Sequence, residues 1–362
     1  MTTIIDGTSG ITTPMYNGSI SSNPVTPSVN MKNRIINGDM RISQRNGTSV
    51  VTPTTSADGY PVDRFNVAVS QNSKLTCQQS TTAPAGFVNS SLITSSSAYS
   101  VASGDVFMIR QQIEGSNISD LAWGSASAKT VTLSFWVQSS LTGAFGGALQ
   151  NSAGNRCYPF TYTISAANTW EQKSVTIAGD TSGTWLTTTG IGITLLFGLG
   201  VGSTYSGTAG AWTASAIYAP TGSTSVVGTS GATFYITGVQ LEVGSTASSF
   251  DYRPYGTELA LCQRYYVNPN SSSIFTGRGN GSAGAIFFVN LPVPLRATPS
   301  VTASGTSQLY SVSGYSSATA TFNSVNLTNT GIKIQGDGWS GGTDNRVNAV
   351  EFSFTMAISA EL

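Results

Sequence analysis

The sequence predicts an all-β protein with an antiparallel sandwich at its centre, and three observations support this class. Residues 131–138 alternate between apolar and polar side chains, which is the period-two pattern of a strand with one buried face. Clusters of Gly, Ser, Thr and Asn separate such segments and are typical of turns. No segment of useful length shows the period of a helix before residue 256, so the strands are expected to pair with one another.

The first two regions of the chain differ in composition. Residues 1–32 are polar, rich in proline and without periodicity, which predicts an extended N-terminal attachment arm. Residues 33–255 are predicted to form the sandwich. Its longest apolar run, residues 191–201, is too short to cross a bilayer and is therefore predicted to be a buried strand. Further strands are predicted at residues 173–177 and 234–243.

A short linker helix is predicted over residues 256–267. Thr257 can cap its start, and Glu258 favours the first turn of a helix. The residues expected to share its buried face are Leu259, Cys262 and Tyr266.

Residues 268–362 are predicted to form a smaller C-terminal β head. Candidate strands lie at residues 285–290 and 349–358, and the second of these alternates strictly between apolar and polar positions. A domain of this size buries little surface by itself. Association with further copies is expected to supply the rest.

Charge and composition exclude several classes of function. The chain has 16 basic and 16 acidic residues and no histidine. It therefore lacks a basic footprint for nucleic acid, and it lacks the commonest general base and metal ligand. Cys77, Cys157 and Cys262 are far apart, which predicts reduced thiols and assembly in a cytoplasm. We expect no catalytic residue, metal, cofactor, nucleic-acid partner or membrane insertion.

Two groups of motifs, about two hundred residues apart, carry a family resemblance. The first is NRIINGDMRISQR at residues 33–45. The second comprises GVQLEVG at residues 238–244, FDYRPYG at residues 250–256 and ELALCQRYY at residues 258–266, with LPVPLR following at residues 291–296. Together they resemble the tail-fibre and receptor-binding proteins of tailed bacteriophages.

The resemblance implies a jelly-roll sandwich similar to carbohydrate-binding modules, a homotrimer with a distal head, and attachment to other virion proteins through residues 1–32. Related glycan-binding jelly rolls often hold calcium with carboxylates on their first and last strands. Here Asp39 is available, but Thr237 stands at the last-strand position. Calcium prefers six to eight oxygen ligands, several of them anionic, so no metal site is predicted.

Aromatic residues in loop-like sequence are the candidates for glycan contact. A flat ring stacks on the apolar face of a sugar, and binding residues concentrate on loops. The alternative for each ring is a place over the core or in a subunit interface. Trp136 and Trp170 lie in predicted strands and are assigned to the scaffold. The candidates, with the first preferred, are Trp339, Trp123, Trp185, Tyr205 and Trp212.

The function expected from these patterns is that of a non-enzymatic phage adhesin. It would be located on the virion, be assembled in the host cytoplasm and bind a glycan of the host cell surface. One alternative is a structural decoration protein of the capsid or tail without host binding. Another is a glycan depolymerase using Asp337 and Asp344, although both lie in a glycine-rich segment where Asp is an ordinary turn residue.

Overall fold

A computed structural model of the protein describes residues 4–6, 10–12, 31–269, 274–279, 284–311, 314–318, 321–337 and 347–362. The chain divides into two compact units, Met1–Met31 and Lys32–Leu362. In the first unit, strand β1 (Ile4–Asp6) pairs antiparallel with β2 (Gly10–Thr12), and Ile4 lies opposite Thr12.

The second unit begins with a β sandwich, which confirms the predicted fold class. Three short 3₁₀ helices, Gly115–Asn117, Ser119–Leu121 and Ser203–Tyr205, lie in its connections. Its strands are, in chain order, β3 (Gly59–Val62), β4 (Phe65–Val69), β5 (Leu75–Ser80), β6 (Ser90–Ser95), β7 (Val106–Glu114), β8 (Val131–Ser139), β9 (Gly143–Gln150), β10 (Cys157–Ile164), β11 (Glu171–Ile177), β12 (Ile191–Val201), β13 (Ser206–Gly207), β14 (Ala219–Pro220) and β15 (Thr233–Val243).

Two antiparallel sheets form the layers of the sandwich. The six-stranded sheet has the order β10-β9-β12-β7-β4-β3, and the five-stranded sheet has the order β11-β8-β15-β6-β5. Strand β12 lies inside the first sheet, so the apolar run at residues 191–201 is a buried strand, as predicted. The two short strands β13 and β14 pair parallel.

The core between the sheets is built from inward-facing apolar residues of both. In β8, Val131, Leu133, Phe135 and Val137 are all fully buried, as their alternation predicts. Large aromatic side chains from both layers fill the centre, namely Phe65, Phe107, Phe135, Phe145, Phe160, Phe197 and Phe234.

A β-bulge interrupts the pairing of β15 with β8. Thr237 lies opposite Trp136 and Gln240 lies opposite Ser134, so two residues, Gly238 and Val239, face one residue of β8. Gly238 has a φ of 60°, in the left-handed region that glycine adopts without steric cost. The extra residue shifts the alternation by one position, so the apolar residues after the bulge still point into the core.

The linker helix α1 spans Tyr255–Gln263, which is shorter than the predicted range of 256–267. Pro254 occupies the N-cap position, so the prediction that Thr257 caps the helix is wrong. Tyr266 is not part of the helix. It belongs instead to β16 (Tyr266–Val267), where it pairs with Ser359.

The C-terminal region is a further antiparallel sheet, in agreement with the predicted β character. Its strands after β16 are β17 (Ile274–Gly279), β18 (Gly284–Asn290), β19 (Ser300–Ser311), β20 (Gly314–Ala318), β21 (Thr321–Leu327), β22 (Gly331–Asp337) and β23 (Val347–Ser359). The sheet has the order β20-β19-β23-β17-β18-β22-β21, and β16 pairs with β23. The predicted strands at residues 285–290 and 349–358 fall within β18 and β23.

Glu361 anchors the end of β23 to the start of the sandwich. Its carboxylate pairs with Arg64 and, at 3.0 Å, with Arg45. The Arg64 guanidinium also lies 3.5 Å from the centre of the Tyr265 ring. Because the Arg64 side chain is only 2% exposed, the pair with Glu361 is a buried tertiary contact rather than a surface ion pair.

Candidate functional site

Three of the predicted contact residues form one tryptophan cluster. The ring centroids of Trp123 lie 4.7 Å from Trp185 and 5.3 Å from Trp212, in edge-to-face arrangements. Each indole N–H donates to the backbone: Trp123 to the Lys129 carbonyl, Trp185 to the Ser182 carbonyl, and Trp212 to the Ala178 carbonyl. Both the contacts between the rings and the hydrogen bonds of the indole N–H groups therefore fix the cluster in place.

Burial corrects the assignment of Trp123 and Trp185 as glycan contacts. Both lie outside the strands, as predicted, but each is only 7% exposed. A ring with so little exposed surface cannot stack on a sugar without unpacking the core. These two residues therefore belong to the scaffold, whereas Trp212 is half-buried at the edge of the same cluster.

The remaining predicted residues lie elsewhere. Tyr205 stacks on Tyr218 with 4.8 Å between ring centroids and 10° between ring planes, so one face of its ring is covered. Trp339 and Asp344 lie outside the described residues. Asp337 is the last residue of β22. The structure does not bring the described candidates to one surface.

A different set of residues converges on the outer face of the five-stranded sheet. Trp136 and Gln138 alternate with buried residues of β8, and Tyr235 and Thr237 alternate with buried residues of β15, so all four point away from the core. Trp136 lies opposite Thr237, and Gln138 lies opposite Tyr235. Trp170 precedes β11 and completes the set. We refer to Trp136, Gln138, Trp170 and Tyr235 as the aromatic face; Thr237 shares their side of the sheet but is fully buried beside them.

Trp170 and Tyr235 flank Gln138 in the sheet, one on each side of β8. Glu171 pairs with Val137, which places Trp170 beside Gln138 on β8. The Trp170 and Tyr235 centroids are 6.1 Å apart with an interplanar angle of 66°. The three aromatic side chains of this face are half-buried, so they keep part of their surface in contact with solvent.

Two polar atoms, one in the aromatic face and one beside it, lack partners. Gln138 Oε1 and Thr237 Oγ1 are buried, and neither has a hydrogen-bond partner among the described residues. The Gln138 side chain as a whole is half-buried, whereas Thr237 is 0% exposed. A buried acceptor without a donor is destabilising, so Gln138 Oε1 is a position where a hydroxyl donor would be favourable.

A shallow groove of about 440 Å³ borders the aromatic face. It adjoins Trp136 because Gln172, which lines the groove, lies opposite Trp136 in the sheet. Its lining residues are Gln172, Lys173, Ser174, Ala247, Ser248 and Ser249.

The bulge connects the aromatic face to a second group of rings. A methyl group on Gly238 would lie 2.7 Å from Phe87 Cζ and 3.0 Å from Trp136 Cδ1, so the two rings meet over this glycine. Phe87 also contacts Phe250 and Tyr252, with centroids 5.2 Å and 5.5 Å away. The Tyr252 side chain is 55% exposed, so this second group of rings adds to the aromatic surface beside β15.

The Asp39 carboxylate is already ion-paired within the protein. Its partner is Arg41, which counteracts the rise in the pKa of Asp39 that burial causes. In the described part of the chain, no three acidic or cysteine side chains are grouped to hold a metal. Across the same residues, no helix is long and apolar enough to span a membrane.

The comparisons with known proteins give distant likenesses. No protein-family model matches the sequence, and no curated protein matches it. Similar solved structures include the enzymatically active domain of tailspike protein 4 from bacteriophage CBA120, with a TM-score of 0.32 and 12% identity over 59% of this chain. The chain spans only 22% of that tailspike domain.

Two modules of Clostridium thermocellum are also similar. One is a family 11 carbohydrate-binding module in complex with a β-1,3-1,4-mixed-linked tetrasaccharide, with a TM-score of 0.28, 9% identity, and coverage of 55% of this chain and 98% of the module. The other is a xylanase 10B fragment complexed with xylohexaose, with a TM-score of 0.29, 12% identity, and coverage of 56% and 30%. Similarity at this distance does not transfer a ligand or an activity to this chain.

The sequence pattern did not identify Trp136 and Trp170 as rings with solvent contact, because both lie in predicted strands and were assigned to the scaffold. In the structure both are half-buried, and Trp170 lies just before β11. A signal was nevertheless present, since the alternation in β8 groups Trp136 with the polar residues Thr132, Ser134 and Gln138 rather than with the core.

Proposed function

We propose that the protein is a non-enzymatic glycan-binding adhesin of a bacteriophage virion and that the aromatic face is its binding surface. The observation that carries this proposal is the placement of Trp136, Trp170 and Tyr235 on one solvent-facing sheet, beside a groove with amide and hydroxyl side chains. Flat rings supply apolar surface for the faces of sugars, and nearby amides supply hydrogen bonds for their hydroxyl groups.

The mode of action would be adhesion through several weak sites. Residues 1–32 would hold the protein on the particle, and a homotrimer would present three copies of the aromatic face. Simultaneous engagement raises the overall affinity well above that of one site, without any new contact. The protein would accordingly be found on the virion, after assembly in the host cytoplasm.

Binding to immobilised bacterial surface polysaccharides tests the proposal. Wild type is expected to bind, and Trp136→Ala is expected to lose most of the binding. Tyr255→Ala is a suitable control, because Tyr255 is 55% exposed and belongs to helix α1 rather than to a strand of the sheet. The folded state of each variant is checked by thermal unfolding.

The outcomes separate the alternative functions. Equal binding by wild type and Trp136→Ala would move the site away from the aromatic face. No binding by folded wild type, combined with attachment to purified phage particles, would favour a decoration protein. Release of soluble oligosaccharide during incubation would instead indicate a depolymerase.

A further inference from the structure

We infer that the aromatic face selects uncharged glycans and that the Gln138 amide accepts a hydrogen bond from a ligand hydroxyl group. The inference rests on the proposed function, because it concerns the ligand of the same surface. It follows from two independent features of the described residues, namely the distribution of charge and the unpaired oxygen of Gln138.

The sheet surface around the rings carries no ionisable acid or base. In β5, β6, β8 and β11, and in β15 before the bulge, the side chains directed away from the core are aromatic, apolar, amide or hydroxyl groups. These outward residues are Thr76, Gln78, Ser80, Ser90, Leu92, Thr94, Thr132, Ser134, Trp136, Gln138, Gln172, Ser174, Thr176, Thr233, Tyr235 and Thr237.

The two lysines at the border of this surface are each held by polar contacts. Lys173 Nζ lies 2.5 Å from the Glu171 carboxylate. Lys32 Nζ donates to Ser248 Oγ at 2.6 Å, and Ser248 Oγ donates to the Glu242 carboxylate at 2.5 Å. A uronate, sulfate or phosphate group bound over the rings would be desolvated on a surface whose outward side chains offer it no cation, which is costly.

Gln138 supplies the specific hydrogen bond. Its Oε1 is buried and has no donor among the described residues, whereas the side chain as a whole is only half-buried. Rotation of the terminal amide exchanges the positions of its oxygen and its nitrogen, so the oxygen can also be presented at the exposed position. An amide oxygen accepts from hydroxyl groups, and the amide nitrogen of the same group donates two hydrogen bonds. A sugar that stacks on either ring therefore brings its hydroxyl groups to a group that can both accept and donate.

Thr237 provides an internal control for this reasoning. Its Oγ1 also lacks a partner, but the residue is 0% exposed, so a ligand cannot reach it. If the unpaired oxygen of Gln138 were only a packing defect, its removal would leave ligand affinity unchanged, as we expect for removal of the Thr237 hydroxyl. Replacing an unsatisfied polar atom by an apolar group of similar shape is close to neutral or stabilising.

The test compares three proteins by calorimetric titration with a neutral glycan found in the polysaccharide screen. Gln138→Met is expected to weaken binding at least about tenfold without lowering the unfolding temperature, which corresponds to loss of a ligand hydrogen bond. Thr237→Val is expected to bind as wild type does. Equal affinity for Gln138→Met and wild type would overturn the assignment of Gln138.

The charge selectivity is tested with one glycan in two forms, the neutral parent and its C6-oxidised derivative, which carries carboxylates. The neutral form is expected to bind at least about tenfold more tightly, and its affinity should not change with added salt. Preferential binding of the oxidised form, weakened by salt, would contradict the inference while leaving glycan binding itself intact. Absence of binding to any polysaccharide would instead refute the proposed function, and this inference with it.

Discussion

Trp170 and Tyr235 meet edge to face across strand β8, with 6.1 Å between their ring centroids. Their backbones belong to segments on opposite sides of β8, so the contact depends on two large side chains that reach toward each other across this strand. Aromatic pairs in this geometry contribute roughly 0.5–1.5 kcal/mol beyond the burial of their surface. The contact therefore fixes two half-exposed rings in place before any ligand arrives, which lowers the entropic cost of binding.

Gly238→Ala should lower stability and weaken ligand binding. A residue other than glycine at a φ of 60° loses about 1–2 kcal/mol from backbone strain alone. The new methyl group would also displace Phe87 or Trp136. Gly231→Ala is the matched control, because Gly231 has a φ of 76° and no atom within 4 Å of the added methyl position. Urea unfolding should show a larger loss for Gly238→Ala, and equal losses would contradict this account.

Tyr162→Phe should leave the free energy of unfolding unchanged or increase it. The Tyr162 hydroxyl is buried in the core without a hydrogen-bond partner among the described residues, and its removal eliminates an unsatisfied polar group. Tyr265→Phe should behave oppositely, because the Tyr265 hydroxyl donates to the Glu114 carboxylate at 2.9 Å. We expect a loss of about 1–3 kcal/mol for Tyr265→Phe in denaturant unfolding. A comparable loss for Tyr162→Phe would show that its hydroxyl is satisfied in solution.

Asp63 should make the protein less stable as pH rises. Burial raises the pKa of Asp63 to about 6, against the opposing effects of Arg45 and Gln44. Because the folded pKa exceeds the unfolded value, the folded state binds the proton more tightly. The free energy of unfolding therefore falls as the pH rises from the unfolded pKa to the folded pKa. The expected loss is about 2 kcal/mol between about pH 4.5 and about pH 7.5.

The pH prediction is checked as a difference between two proteins. Urea unfolding of wild type and Asp63→Asn at both pH values isolates the contribution of this carboxyl group from all others. Raising the pH should lower the free energy of unfolding of wild type by more than that of Asp63→Asn. Parallel pH profiles for wild type and variant would show that Asp63 ionises with an ordinary pKa.

Glu361→Gln should destabilise the junction between β23 and the sandwich. The change leaves the buried Arg64 guanidinium without its acidic partner, and breaking a buried pair in this way costs about 3–5 kcal/mol. Asp120→Asn serves as the comparison, because Asp120 is 45% exposed where it pairs with Arg34 and should contribute less than about 1 kcal/mol. Equal decreases in unfolding temperature for the two variants would rule out a structural role for the Glu361 contact.

The strands could be predicted because their signal is local. The alternation in β8 and the apolar run of β12 are visible in the sequence, and both elements lie where they were expected. The end of helix α1 was not predictable in the same way. Tyr266 leaves the helix because its backbone pairs with Ser359, a partner far along the chain that propensity cannot reveal.

The candidate site was less predictable than the fold for a related reason. Trp123 and Trp185 have loop-like sequence, but three tryptophans from separate segments pack together and become buried. Trp136 has strand-like sequence, but its exposure depends on which sheet face remains open. Both outcomes are decided by tertiary packing, whereas the alternation in the sequence indicates only which residues of a strand share a face.

The separation of the described tryptophans into a buried cluster and an exposed face gives the protein an intrinsic optical reporter. Trp123 and Trp185 are shielded from water, so their fluorescence emission should lie at short wavelength and resist quenching by acrylamide. Trp136 and Trp170 retain solvent contact on the opposite side of their sheet from the core. A sugar that covers these two rings should shift only the long-wavelength, quenchable part of the emission, so occupancy can be followed in solution without a label.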